Sequence, residues 1–179
     1  DVTPSAIFID RRGNKYVGSR AYNNAARNPD NAAVLFKRLM GTSTPVKLPA
    51  VNLTMTPEEC SAEVLRALYG YLPEEIRSDG DTGTVITVPA AFNQMQKDST
   101  MAAADAAGLG RVALMQEPVA AVMSVMRQRK NDGVFVVYDL GGGTLDIAIA
   151  ESISGRVTLL AHGGIAMCGG RDFDRILFD

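Results

Sequence analysis

Asp139-Leu140-Gly141-Gly142-Gly143-Thr144 is the stretch on which the reading of this chain turns. Val134 to Leu140 precedes the glycines and Thr144 to Ala150 follows them, both rich in β-branched and apolar residues. Two such runs joined by glycines predict an antiparallel hairpin with glycine at its tip. A loop without side chains lets backbone N–H groups approach an anion closely, and glycine accepts the positive φ angles that aim several amides at one point. Asp139, at the end of the incoming strand, is placed to manage a magnesium ion directly or through its waters, and the Thr144 hydroxyl to donate to a terminal phosphate. The same residues also describe a flexible hairpin turn with a hydrogen-bonding aspartate before it, and spacing alone leaves both readings open.

Working outward, Arg156 to Ala161 reads as a third strand, and Gly169-Gly170 leads into a helix over Arg171 to Phe178. On the upstream side, Arg111 to Met115 is a short apolar strand, and Pro118 sits early in a helix running to about Arg129. Asn93 and Gln96 can cap an Ala-rich helix up to Gly108, preceded by a strand over Thr84 to Val88 that Pro89 ends. Thr56, Pro57 and Glu59 form a capping box at the start of a helix whose apolar stripe is Cys60, Val64, Leu68 and Leu72. Ala32 to Met40 places Val34, Leu35, Leu39 and Met40 toward one side and predicts a helix stopped by Gly41, with a loop over Gly41 to Pro49. Ser5 to Asp10 and Lys15 to Val17, around Arg12-Gly13-Asn14, predict a hairpin. Alternating strands and helices point to an α/β architecture, and the late hairpin argues against an all-parallel doubly wound sheet.

A chain of 179 residues can bury one sizeable core or two small lobes. Its formal net charge is only -2, with 21% charged residues, so no broad field points to nucleic acid or an anionic membrane. No apolar run approaches the length of a membrane helix, and Asp1-Val2-Thr3-Pro4 does not resemble a signal peptide. Asp1 and Asp179 read as cut ends of a longer chain. Cys60 and Cys168 lack CxxC spacing, and His162 has no clustered metal-binding partners, so both thiols are expected reduced and the location cytoplasmic.

Other motifs weigh less. The Gly-Lys-Ser/Thr ending of a P-loop does not occur. Gly108-Leu109-Gly110-Arg111-Val112-Ala113 formally fits a dinucleotide fingerprint, but it runs from helix to strand, the reverse of the required context. Lys37 and Arg38 sit near the end of the expected 32–40 helix, where cations complement the dipole, and read by themselves as a solvated basic face. Glu117 before Pro118 is favourable helix-start chemistry. His162 reads as structural or surface.

Taken together, FKRLMG (Phe36 to Gly41), VITVPAAFN (Val85 to Asn93), AGL (Ala107 to Leu109), EPVAA (Glu117 to Ala121), YDLGGGTLDIAI (Tyr138 to Ile149) and GGRDFD (Gly169 to Asp174) resemble the nucleotide-binding domain of the DnaK-type 70-kDa heat-shock chaperones, in order and approximate spacing. The resemblance covers nearly the whole chain. It implies an α/β, actin-like ATPase fold, ribonuclease-H-like, with parts of two lobes, a mixed sheet and a β-hairpin phosphate loop. Residues 1–125 resemble the later part of the first lobe, including its outer subdomain, and residues 126–179 the start of the second lobe with the phosphate loop.

The same resemblance implies the roles and the ligands. Lys37 is similar to the lysine that orients the attacking water and stabilises charge on the terminal phosphate. Glu117 resembles the acidic residue that arranges magnesium-bound water, and Asp139 the aspartate near the metal and the nucleophilic water. Gly141, Gly142, Gly143 and Thr144 resemble the second phosphate loop, and Gly169 and Gly170 a glycine pair close to the nucleotide. Pro89 resembles a proline associated with interdomain signalling. ATP or ADP with Mg2+ would be the cofactors; unfolded polypeptide clients, a J-domain protein and a nucleotide exchange factor the partners, with no nucleic acid and no membrane. The implied activity is hydrolysis of ATP to ADP and phosphate, coupled to binding of unfolded polypeptides, with this stretch alone expected inactive. An actin-like small-molecule kinase and a noncatalytic scaffold of the same fold are the alternatives. Lys97, Val119, Ala91 and Arg171 depart from the family's usual arginine, threonine, tyrosine and glutamate, which puts the coupling to client binding in doubt.

Overall fold

Ala6–Ile9 forms strand β1, and all four of its residues are buried. A strand covered on both faces needs apolar side chains on both, which is why this run is continuous rather than alternating. The computed structural model describes residues 2–128, 132–165 and 167–178; Asp1, Arg129 and Asp179, named above, lie outside the described residues. After β1 the Asp10 carboxylate accepts the N–H groups of Arg12 at 2.8 Å and Asn14 at 2.9 Å, and the chain returns as β2, Lys15–Val17, antiparallel to β1 as expected. Helix α1, Ser19–Ala25, was not foreseen; it packs on β1 with Ala21 buried.

The helix expected over 32–40 does not form. Ala32–Val34 is strand β3, antiparallel to β1, Leu35 turns left-handed at φ 58° and ψ 15°, and Phe36–Leu39 is a single 3-10 turn. Pairing with the free edge of β1 wins over the helical spacing, because it satisfies the backbone while Ala33 and Phe36 still reach the core. Gly41 does take the left-handed conformation, φ +75°, but after the 3-10 turn. The loop expected to Pro49 contains β4, Val46–Leu48, which pairs antiparallel with β5, Leu53–Met55.

Helix α2, Pro57–Gly70, starts as its sequence dictates. Thr56 Oγ1 accepts the Glu59 N–H at 3.1 Å, and the Glu59 carboxylate accepts the Thr56 N–H at 2.8 Å. Cys60 and Val64 enter the core with Ile7, Ile9, Ala33, Phe36, Leu48 and Met55. Leu68 and Leu72 stay exposed, and Leu72 lies past the helix end, so the expected stripe is half as long. A short α3, Glu74–Arg77, leads to β6, Thr84–Val88, and then α4, Gln94–Ala107, which packs on α2 through Thr100, Ala103, Ala104 and Ala107. Strand β7, Val112–Gln116, pairs with β6.

Helix α5, Glu117–Gln128, precedes three antiparallel strands in the order β10-β9-β8: β8, Gly133–Leu140, β9, Leu145–Ile153, and β10, Arg156–Ile165. Ser154 and Gly155, both at positive φ, make the tight turn between β9 and β10. Helix α5 packs on all three strands, with Val122 buried, and alternate β9 residues Ala148, Ala150 and Ser152 are buried. The intervening Ile147 and Ile149, with Val136 and Tyr138, remain exposed. Helix α6, Gly170–Phe178, ends the described chain. The protein divides into two compact units, Asp1–Thr84 with Gln94–Val112, and Val85–Asn93 with Ala113–Asp179.

Candidate functional site

The second unit holds the glycine bend between β8 and β9. Strand pairing runs to Leu140 opposite Leu145, and the Gly141 N–H donates to the Thr144 carbonyl at 2.9 Å to close the tip. One side of the bend is fastened to the start of α6: Gly170 N–H donates to the Gly141 carbonyl at 3.0 Å and Arg171 N–H to the Gly142 carbonyl at 3.1 Å. Gly169 makes this approach possible, since a Cβ there would lie 2.4 Å from the Gly143 nitrogen and 2.6 Å from the Gly142 oxygen. Asp172 Oδ2 accepts the Gly169 N–H at 2.8 Å and closes the first turn of α6. A Cβ built on Gly142 meets nothing within 4 Å, so the bend is packed on the α6 side and has room over its tip.

Register places Asp139 directly opposite Asp146. Both lie on the same side of the sheet as the buried Ala148 and Ala150, because residues two apart along a strand share a face. Asp146 was missed in the sequence; counting outward from the Leu140–Leu145 pair finds it. Like charges opposed in an antiparallel pair are destabilising, and a divalent cation reverses the sign of that interaction. Glu117, half-buried, opens α5 in the same unit, with buried Pro118 following it as the sequence requires. Asp139, Glu117, Gly141, Gly142, Gly143, Thr144, Gly169 and Gly170 are thus all found in one unit.

Lys37 belongs to the other unit. It stands exposed on the 3-10 turn between buried Phe36 and Met40, so its place is fixed by its neighbours rather than by a helix dipole. The dipole expectation fails because a four-residue turn aligns too few peptides.

The remaining chemical groups stay outside this set. Burial, and then the negative charges of Glu59, Glu63 and Glu58, push the Cys60 thiol up to about 12, which keeps it inert. His162 lies in β10 opposite Ala148 and is exposed. Among the described residues no three His, Cys, Asp or Glu side chains gather as a metal cluster, and no helix is long and apolar enough to cross a membrane. Gly108 to Ala113 connects α4 to β7, the orientation that disqualifies it as a dinucleotide loop.

A family model described as Hsp70 protein matches residues 43–179. A relative from Burkholderia cenocepacia called "Chaperone protein HscA homolog" is 36% identical over 98% of this chain and 31% of its own length. One from Pectobacterium carotovorum, "Chaperone protein HscA", is 37% identical over 99% of this chain and 32% of its own length. Another from Herminiimonas arsenicoxydans, named as the first, is 36% identical over 98% of this chain. The chain therefore spans about a third of the length of the curated relatives it matches.

Proposed function

This chain belongs to the Hsp70 protein family, and on that premise we propose that it supplies part of the ATP-binding and ATP-hydrolysing domain of a molecular chaperone. In this reading residues 1–125 are the later part of a first actin-like lobe and residues 126–179 the start of a second. The single observation that supports it most is the opposed pair Asp139 and Asp146 beside a glycine bend whose other side is fastened to α6. Such a bend offers main-chain donors to phosphate oxygens, and the two carboxylates are the donor set a hard divalent cation takes.

The chemistry assigned to the chain is positioning and charge compensation, which is most of what phosphoryl transfer to water requires. The bend presents the backbone of Gly142 and Gly143 to phosphate oxygens, Gly141 shapes it through its N–H bond to the Thr144 carbonyl, and Thr144 adds a hydroxyl donor. Asp139 and Asp146 would hold Mg2+ directly or through its waters, and Glu117 would help arrange those waters. When bound, Mg2+ supplies positive charge to the phosphate oxygens. Lys37 is assigned, by its resemblance to the family's lysine, the orienting of the attacking water and charge compensation in hydrolysis. The cycle would gate binding of unfolded polypeptide, assisted by a J-domain protein and a nucleotide exchange factor, in the cytoplasm.

The test is ATP turnover by the full-length protein carrying this stretch. Lys37→Ala is expected to lower kcat by about 100-fold or more while ATP still binds. Unchanged turnover would remove Lys37 from the reaction. Transfer of phosphate to a small-molecule acceptor, without stimulation by unfolded peptide, would instead identify an actin-like kinase, and absence of any turnover a noncatalytic scaffold.

A further inference from the structure

Lys37 rides on one turn of 3-10 helix, and so short a piece does not hold its own geometry in water. Its geometry is imposed from outside. On its N-terminal side, Leu35 is held left-handed at φ 58°, a strained conformation for a bulky L-residue that persists only where the surroundings over-determine it. Phe36 and Met40 are driven into the core at 2% and 4% exposure, one on either side of Lys37.

The C-terminal side is tied to α4. Ser99 Oγ accepts the Gly41 N–H at 3.2 Å. A Cβ on Gly41 would lie 2.9 Å from both the backbone nitrogen and the Cγ of Gln96, so the Gly41 backbone rests directly on the first turn of α4. From α2, Ser61 reaches the Met40 sulfur at 3.3 Å.

We propose that Ser99 is a positioning residue for Lys37: its hydroxyl locks the Gly41 amide and through it the 3-10 turn that presents the lysine. The proposal rests on the assignment of Lys37 to ATP hydrolysis. Alanine at 99 can neither accept nor donate, whereas threonine keeps both functions. A residue that supports a catalytic group from behind acts on the catalytic rate more than on ground-state binding.

The experiment compares Ser99→Ala, Ser99→Thr and Lys37→Ala in the full-length protein, by steady-state ATP turnover and amide hydrogen exchange. Ser99→Ala is expected to lower kcat about 10-fold with KM for ATP changed by less than about twofold. Its Phe36 to Gly41 amides should exchange faster while the rest of α2 and α4 is unaltered, and Ser99→Thr should recover most of the rate. A Ser99→Ala protein with unchanged kcat, alongside an inactive Lys37→Ala protein, would overturn the positioning role and leave the lysine assignment standing. So would a rate loss that threonine does not rescue and that comes with faster exchange throughout α4. Full turnover by Lys37→Ala would overturn the lysine assignment itself, whatever Ser99→Ala does.

Discussion

Gly169 and Gly142 look alike in the sequence and are opposites in the fold. The first has the Gly143 nitrogen 2.4 Å from where a Cβ would sit, and the second faces open space. Backbone cannot step aside as a flexible side chain can, so Gly169→Ala should cost about 1–3 kcal/mol of unfolding free energy. It should also break the two main-chain bonds from Gly170 and Arg171 to the bend. Gly142→Ala should stay within about 0.5 kcal/mol of the parent. Urea denaturation of both variants checks this, and equal losses would mean that the glycines serve chain flexibility rather than close approach. Composition announced that glycine mattered in these segments but not which glycine carried the packing. Asp146 was hidden for a related reason: its partner is set by strand register, which a linear scan for strand-end carboxylates does not follow.

Helix α2 was the most legible element, because its start signal is local: Thr56, Pro57 and Glu59 act within one turn and need no distant partner. The 32–40 segment was the least legible. Its apolar spacing fits a helix, and what decides against one is the free edge of β1, more than twenty residues upstream. Helix α2 is also tied to β2 by Glu63, whose carboxylate lies 2.7 Å from Lys15 Nζ and 2.9 Å from Arg66 Nη1. Burial pushes this carboxyl up, but the hydrogen bonds and charges of Lys15 and Arg66 together outweigh it and hold it below the usual range. A folded-state value below the unfolded one, about 4.3, gives stability that is present above that pH and fades as pH falls through the folded value. Glu63→Gln should therefore cost about 0.5 kcal/mol near neutrality, and the two stability curves should converge as acid protonates Glu63. A gap that persists unchanged into strong acid would assign the loss to packing instead.

At the scale of the whole molecule, the alternation of strands and helices and the late antiparallel hairpin were readable, but the division into units was not. Contiguity in sequence is a poor guide here, since residues 85–93 leave one unit for the other and the chain then returns until Val112. Lys37 and the glycine bend lie in different units, and the chain spans about a third of the length of its curated relatives. Val136, Tyr138 and Ile149 also stand exposed on the sheet face away from Ala148 and Ala150. The isolated chain is therefore expected to bind ATP weakly and to show little or no hydrolysis. Isothermal calorimetry giving micromolar affinity for this stretch alone would contradict that expectation.

The interleaving also bears on how the polypeptide takes shape as it leaves the ribosome. Helix α2 emerges well before α4, the helix it packs against, and by the time α4 is complete the ribosome has already delivered β6, which belongs mostly to the other unit. A nascent chain halted near residue 90 would thus carry α2 with one flank unshielded and β6 without β7. The first unit is complete in sequence only at Val112, so it must consolidate around residues 85–93, which wait unpaired for the rest of the second unit.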